Sequence, residues 1–244
     1  MRYLIVSDVH SNLEALQAVI QDAQDQRGGF DRIWSLGDLV GYGPDPVGCI
    51  DLLRQHDTIG VSGNHDLAAT GRLSTEAFNA YAAAAVHWTA KQLTGEHLEY
   101  LAAFPLRMEL EGFTAVHGSP RDPVWEYVVS PPAAVASFNN LDTPRCLVGH
   151  SHLPFICRPA DNSAVFHEFP LDSPVKLGKD RMILNPGSVG QPRDGDPRAS
   201  YAIYDSSDNS AVHHRAEYDI PATQERMSER GLPNYLSERL TRGR

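Results

Sequence analysis

No window of this 244-residue chain approaches the ~20 consecutive apolar residues needed to cross a bilayer. The longest apolar stretch, residues 82–86, is mostly alanine, so no membrane span is predicted. Cysteine is scarce. Cys49, Cys146 and Cys157 are odd in number and lack metal-ligand spacing, which predicts reduced, mostly packed thiols. Positive charge is also short: 21 Lys and Arg against 31 Asp and Glu give a formal net charge of −10. That balance argues against stable nucleic-acid binding, which needs a basic surface to neutralise phosphates. A small phosphorylated substrate stays open, because bound metal ions can meet its charge locally. Met1-Arg2-Tyr3 runs straight into the apolar Leu4-Ile5-Val6 with no small-residue cleavage site ahead of it, and a cytoplasmic protein is the expectation. Internal repeats and low-complexity segments are missing as well. Oligomeric state is not legible.

What is present reads as one domain over residues 1–244, long enough to bury a core without disulfides or a structural metal. Residues 3–7, 32–36 and 58–61 are β-prone. Between them, residues 12–26 and 46–55 place Leu, Val, Ile and Ala at helical spacing. This βαβαβ alternation predicts parallel strands with helices packed against them. Residues 67–104 break it with a helical insertion, in which Phe78, Tyr81, Ala85 and Trp88 recur at helical spacing and are expected to pack as core; Gly95 separates a second helix ending before Pro105. Strands are then expected over 106–110, 114–116, 146–148, 155–158, 164–169, 182–184, 201–204 and 211–216, enough for two stacked sheets. C-terminal helices are expected within 219–244, one over 222–230 stopped by Gly231 and one from about Pro233.

Five polar clusters stand in order along this framework: Asp8-Val9-His10, Gly37-Asp38, Gly63-Asn64-His65-Asp66, His117-Gly118 and Gly149-His150-Ser151-His152. All but the third follow a predicted strand, and strand ends are where open α/β sheets bind ligands. Asp8 and His10, like His150 and His152, are two apart, so on a continuing strand each pair shares a face. Asp and neutral His both suit borderline divalent ions. Asp38 offers two carboxylate oxygens and can bridge two ions, which two-metal hydrolases hold roughly 3.5–4 Å apart. Asn64 adds an oxygen ligand without adding negative charge, leaving the centre net positive toward a phosphate. Singly, each of these residues is as readily a turn or cap residue or a half-buried histidine; the ordered set is what points to two metals.

That ordered set resembles the calcineurin-like metallophosphoesterase superfamily over about residues 3–204. The resemblance implies an α/β fold, a four-layer α/β/β/α sandwich of two mixed sheets flanked by helices. It implies one metal held by Asp8, His10, Asp38 and His152, and another by Asp38, Asn64, His117 and His150. It also implies phosphoester hydrolysis by in-line attack of a metal-bridging hydroxide, with His65 as the catalytic acid that protonates the leaving oxygen or stabilises charge on it. Asp66 reads instead as a helix N-cap.

The superfamily's protein phosphatases continue Gly-Asp with x-Val-Asp-Arg-Gly. Here the stretch is Leu39-Val40-Gly41-Tyr42-Gly43, which lacks both the aspartate and the arginine. Gly37 to Pro44, and the loop from Asn185 to Gly195, instead look like the small bacterial and archaeal YfcE-like phosphodiesterases. The expected activity is therefore on phosphodiesters or small nucleotides. A phosphomonoesterase like the protein phosphatases, a non-catalytic scaffold of the same fold and a repair-type nuclease are the alternatives. Three residues are candidates for substrate binding: Asn12, which serves equally as a cap for the first helix; Tyr42, beside the second cluster; and Arg193, a loop arginine able to grip phosphate in place of the one missing at Tyr42. The nitrogen and oxygen ligands admit Mn, Fe, Zn, Co or Ni, with Mn²⁺ the first choice.

Overall fold

A computed structural model describes all 244 residues. The chain opens with β1 (Arg2–Val6), α1 (Leu13–Asp25), β2 (Arg32–Ser35), α2 (Pro46–Gln55) and β3 (Thr58–Gly60), the predicted alternation. Next come α3 (Asn64–Ala69), a 3₁₀ turn at Thr75–Ala77, α4 (Ala80–Ala90) and α5 (Gly95–Ala102), which make up the helical insertion. The second half contains β4 (Arg107–Leu110), β5 (Phe113–Val116), α6 (Pro131–Asn139), β6 (Arg145–Leu147), β7 (Pro154–Ala160), β8 (Ser163–His167), β9 (Val175–Lys176), β10 (Met182–Pro186), β11 (Ala199–Asp205) and β12 (Ser210–Ala216). It closes with α7 (Ile220–Glu229) and α8 (Asn234–Glu238).

Two mixed six-stranded sheets result, in the orders β3-β2-β1-β11-β12-β9 and β4-β5-β6-β10-β7-β8. β1 to β3 run parallel, as do β5, β6 and β10; the flanking pairs are antiparallel. Alternation along β1 explains the layers. Leu4 and Val6 pack with Leu16 and Val19 of α1 and Ile50 and Leu53 of α2, whereas Tyr3 and Ile5 face Phe113, Leu147 and Leu184 of the other sheet. Between the sheets Trp34 stacks on Tyr3 with ring centroids 4.0 Å apart and meets Phe113 edge-on at 6.0 Å. On the far face of the second sheet, Ala134 and Phe138 of α6 cover Val116, Cys146 and Phe155. Helices, sheet, sheet and helix are the four layers expected. All three cysteines are free and buried.

Three local departures have physical causes. The helix over Pro131–Asn139 has no counterpart among the sequence expectations; Pro131 and Pro132 stand in its first turn, where proline gives up no hydrogen bond the helix needs. The aromatic stripe of the insertion splits. Ala85 and Trp88 pack as core, Phe78 precedes α4 instead of lying on it, and Tyr81 stays 47% exposed, stacked on Tyr235 at 4.8 Å. Thirdly, Met227, Leu232, Leu236 and Leu240 of the C-terminal helices form a cluster with Ala82, Ala85 and Tyr42, so the last segment covers the loop after β2.

Phe113 is 1% exposed at the centre of the inter-sheet core. Phe113→Ala is expected to destabilise the protein by about 3–5 kcal/mol, read from its urea unfolding midpoint. A loss below about 1 kcal/mol would contradict the packing assigned to it.

Candidate metal centre

The five clusters follow β1, β2, β3, β5 and β6 and converge there. Strand pairing stops before the ligands begin. Asp8, His10, Asp38, His150 and His152 all have positive φ, between 48° and 64°. The shared-face argument for Asp8 with His10, and for His150 with His152, is therefore not the reason they meet: they sit in left-handed turns beyond the strands. Such a conformation costs a non-glycine residue on the order of 1–3 kcal/mol and persists only where its surroundings enforce it. Here they do. Asp8 N donates to Gly37 O, His10 N to Asp38 O and Ser11 N to Leu39 O, at 3.0, 2.9 and 3.0 Å, lacing the first cluster to the second. Gly149 N donates to His117 O at 2.9 Å, lacing the fifth to the fourth.

A second set of ties comes from the loop after β10. Asn185 Nδ2 donates to Gly149 O at 2.8 Å, Ser188 Oγ to Asp8 O at 2.9 Å, and Gln191 O accepts from His152 Nδ1 at 2.6 Å. The loop therefore does more than leave the second sheet, since these groups hold the ligand turns in place.

None of the seven predicted ligands is more than 4% exposed. Asp8 Oδ1 lies 3.3 Å from His152 Nε2 and 3.8 Å from His10 Nε2. On the other side, His117 Nε2 lies 3.1 Å from Asn64 Oδ1 and 3.0 Å from His150 Nδ1. Asp38 Oδ2 joins the two groups, 3.7 Å from His10 Nε2 and 3.3 Å from His117 Nε2. One oxygen of Asp38 thus faces both groups, while Oδ1 accepts the His65 N–H at 2.9 Å and caps the start of α3. Gly63 must be glycine for this, as a Cβ there would stand 2.1 Å from Asp38 Oδ1.

The chemistry of the donors fits cations. His10 and His152 give their Nδ1–H groups to the carbonyls of Val40 and Gln191, so both Nε2 atoms present lone pairs, yet these stand 3.2 Å apart. Burial holds both imidazoles well below their ordinary pKa, with Arg193 adding to the effect, so no proton fills the gap. Asp8 Oδ1 is buried without a hydrogen-bond partner, while Oδ2 accepts from Ser7 Oγ and His150 N. Burial raises the Asp8 carboxyl to about 7. Asp38 is buried too, but the neighbouring His117 and His65 hold it well below the usual carboxylate range. His117 is driven in the opposite direction: burial disfavours its charge, but Asp38 outweighs that and raises it to about 9. The unprotonated lone pairs of His10 and His152 beside the unpartnered Asp8 Oδ1 are what a divalent ion satisfies, and at His117 an ion would displace the proton that Asp38 favours.

Above the donors lies a pocket of about 90 Å³, reached by Asp38, Asn64, His65, His150 and His152 from below. Tyr42, Phe78, Trp125, Tyr127 and Arg193 form its walls. His65 packs edge-on to His10 at 4.8 Å and to Phe78 at 5.0 Å, and lies 4.4 Å from the ring of Tyr42. Its Nδ1 is buried without a partner and rests on Gly41, where a Cβ would come within 2.3 Å. Burial lowers its pKa to about 4, so the ring is neutral near pH 7. Tyr127 stacks on His150 at 3.9 Å, and Trp125 meets Phe78 edge-on at 5.3 Å. Trp125 and Tyr127 carry no readable code in the sequence. The available signal is two aromatics in a polar loop eight and ten residues after His117.

Two expectations need correction. Asn12 does not line the pocket above the metal ligands: its Oδ1 caps α1 by accepting from Ala15 N at 3.2 Å, and its Nδ2 donates to Gly190 O at 2.9 Å. Asp66 is not an N-cap but the third residue of α3, where its carboxylate accepts from Gly63 N and Val40 N and ties the third cluster to the second.

Residues 1–209 match the calcineurin-like phosphoesterase superfamily domain. The chain belongs to this superfamily. A metallophosphoesterase from Sphaerobacter thermophilus is 48% identical, with a TM-score of 0.90 over 100% of this chain and 99% of that one. An uncharacterised protein of Methanocaldococcus jannaschii is 40% identical over 98% of this chain and 97% of its own. A stretch of 72 residues, 28% of this chain and 25% of the relative, is 40% identical to the symmetrical bis(5'-nucleosyl)-tetraphosphatase of Psychromonas ingrahamii.

Within the superfamily this chain puts Gly41 under the imidazole where the protein phosphatases have an aspartate, so packing alone orients His65. The Asp38 arrangement yields a direct test. Calorimetric titration with Mn²⁺ is expected to show two ions per chain, and Asp38→Asn to weaken binding beyond the about 10- to 100-fold typical of losing a supporting partner. Wild-type stoichiometry and affinity in Asp38→Asn would contradict the bridge.

Proposed function

We propose that this protein is a two-metal phosphoesterase that hydrolyses phosphodiesters or small nucleotide phosphoesters. The observation that carries the reading is Asp38 Oδ2, which faces a His10 group and a His117 group at 3.7 and 3.3 Å beneath a pocket that Arg193 enters. Asp8, His10, Asp38 and His152 would hold one divalent ion, and Asp38, Asn64, His117 and His150 the other. Bound there, the ions supply Lewis-acid charge to the phosphoryl oxygens and an activated water. Only two of the seven ligands are carboxylates, so the loaded centre stays net positive and attracts a phosphoryl group. Nitrogen and oxygen donors suit Mn²⁺, the ion we expect to activate the protein.

The chain's own residues do the rest. Arg193 Nη2 is braced by Gln191 Oε1 at 2.9 Å while its Nε is buried and unpaired, leaving the guanidinium a donor for a phosphate oxygen. His65 offers a neutral imidazole N–H, which suits stabilising charge on the leaving oxygen by hydrogen bonding more than full proton transfer from an imidazolium. Phe78, Trp125 and Tyr127 wall the phosphoryl position off from water.

Size supports a small substrate. A pocket of about 90 Å³ is well under the roughly 300–1,000 Å³ of sites for drug-sized ligands. It admits a phosphoryl group with a slim leaving group and has no groove for a phosphoprotein segment. The short match to a bis(5'-nucleosyl)-tetraphosphatase favours nucleotides among such substrates. No helix is long and apolar enough to cross a membrane, and a cytoplasmic small-molecule enzyme is consistent with that.

With Mn²⁺ present, a panel of bis(4-nitrophenyl) phosphate, 4-nitrophenyl phosphate, cyclic nucleotides, dinucleoside polyphosphates and a phosphopeptide is expected to favour a diester or nucleotide in kcat/KM; preference for the phosphopeptide would overturn the reading. His65→Ala is expected to keep both metals and lower kcat by about 10²- to 10⁴-fold on the best substrate. An unchanged kcat would remove His65 from the mechanism.

A further inference from the structure

Directly after the ligand His117, the loop over residues 118–127 is tied to itself at almost every residue. Gly118 N donates to Pro123 O at 2.8 Å and Ser119 N to Asp122 O at 2.9 Å. The Ser119 hydroxyl oxygen accepts from Arg121 N and Asp122 N at 3.2 and 3.0 Å and donates to Glu126 Oε2 at 2.5 Å. Asp122 Oδ1 accepts from Val124 N and Trp125 N at 3.2 and 3.1 Å. Arg121 completes the network by pairing with both Glu126 oxygens. Beyond it Val128, 2% exposed, packs with Val116, Phe138 and Phe155. Tyr127 is therefore held from both sides, by the Glu126 clasp and by the buried Val128.

The ring so held is nonetheless 46% exposed, whereas the other aromatic walls of the pocket, Tyr42, Phe78 and Trp125, are buried or half-buried. One face of Tyr127 lies on the His150 imidazole, with centroids 3.9 Å apart and planes 15° apart, and covers that ligand, which is 4% exposed. No second ring stacks on Tyr127 and it joins none of the apolar clusters, so its exposure falls on the opposite face and the edge. A flat aromatic face left in water on a braced loop suits a planar ligand, because the ordering cost is met before anything binds. Its place fits as well. The pocket of about 90 Å³ has room for a phosphoryl group but not for a nucleoside, so a nucleoside attached to that group leaves through the mouth, where Tyr127 stands.

We propose that the outer face of Tyr127 is a stacking platform for the base of a nucleotide whose phosphoryl group is held at the metal centre. The phosphoryl position rests on the phosphoesterase reading, and the platform narrows the substrate to a phosphoester that carries a planar base beside the reacting group. Tyr127 touches none of the reacting atoms; it sets specificity. Every base has a π-face, so purines and pyrimidines both qualify, and a sugar phosphate without a base does not.

Calorimetry on Mn²⁺-saturated protein tests it with two hydrolysis-resistant ligands, the 5′-methylenephosphonate analogues of adenosine 5′-monophosphate and of ribose 5-phosphate. Wild type is expected to bind the adenosine compound about 5- to 150-fold more tightly, the range a stacked base contributes. Tyr127→Phe is expected to keep most of that ratio, and Tyr127→Ala to bring it within about twofold of unity. Because alanine also uncovers His150, Tyr127→Leu is measured beside it: leucine keeps an apolar cover there without an aromatic face, and most of the ratio is expected to be lost in it too. A wild-type ratio within about twofold of unity, or a ratio that survives in both Tyr127→Ala and Tyr127→Leu, overturns the platform. Failure to hydrolyse any phosphoester in the panel would strike the activity instead and leaves the ratio, which needs no turnover, to decide the platform.

Discussion

Four histidine nitrogens and two carboxylates meet at the core of this protein with no lysine or arginine among the seven ligand positions. Bringing lone pairs to within 3.2 Å, as at His10 and His152, is unfavourable in a buried site unless something positive lies between them. Much of the chain is arranged around that convergence. Five of the seven ligands adopt left-handed backbone, and the turns that contain them are laced together by main-chain hydrogen bonds and by Asn185, Ser188 and Gln191. Two sheets are needed because the first supplies Asp8, His10 and Asp38 and the second His117, His150 and His152. The inter-sheet core is therefore also what sets the relation between the two ligand groups.

The same arrangement accounts for the pocket above. The helical insertion contributes Phe78, the loop after β5 contributes Trp125 and Tyr127, and the C-terminal helices seat Tyr42. The proposed metal ligands lie deep, while the pocket walls come from the insertion, the loop after β5 and, through the seating of Tyr42, from beyond the superfamily domain. Under the proposed function, chemistry and selectivity would fall to different parts of the chain, as expected where one fold serves different substrates.

The ordered clusters were legible in the sequence because each ligand pair is local and follows an apolar strand. The reason first given for the pairing was wrong even though the residues are brought together: side chains two apart share a face on a strand, but Asp8 and His10 lie past the strand in a left-handed turn that periodicity does not register. Asn12 and Asp66 show a related limit. Both residue types cap helices or bind ligands, and only their partners, Ala15 and Gly190 for one and Gly63 and Val40 for the other, decide between the roles. The α6 helix, absent from the sequence expectations, opens on two prolines, which break a helix interior but start a helix well.

The central claim is that one oxygen of Asp38 stands between two bound metal ions. Anomalous diffraction from crystals grown with Mn²⁺ tests it most directly. The account predicts two peaks roughly 3.5–4 Å apart, one within reach of Asp8, His10 and His152 and the other of Asn64, His117 and His150, with Asp38 Oδ2 touching both. A single peak, or two peaks that share no Asp38 oxygen, would contradict it.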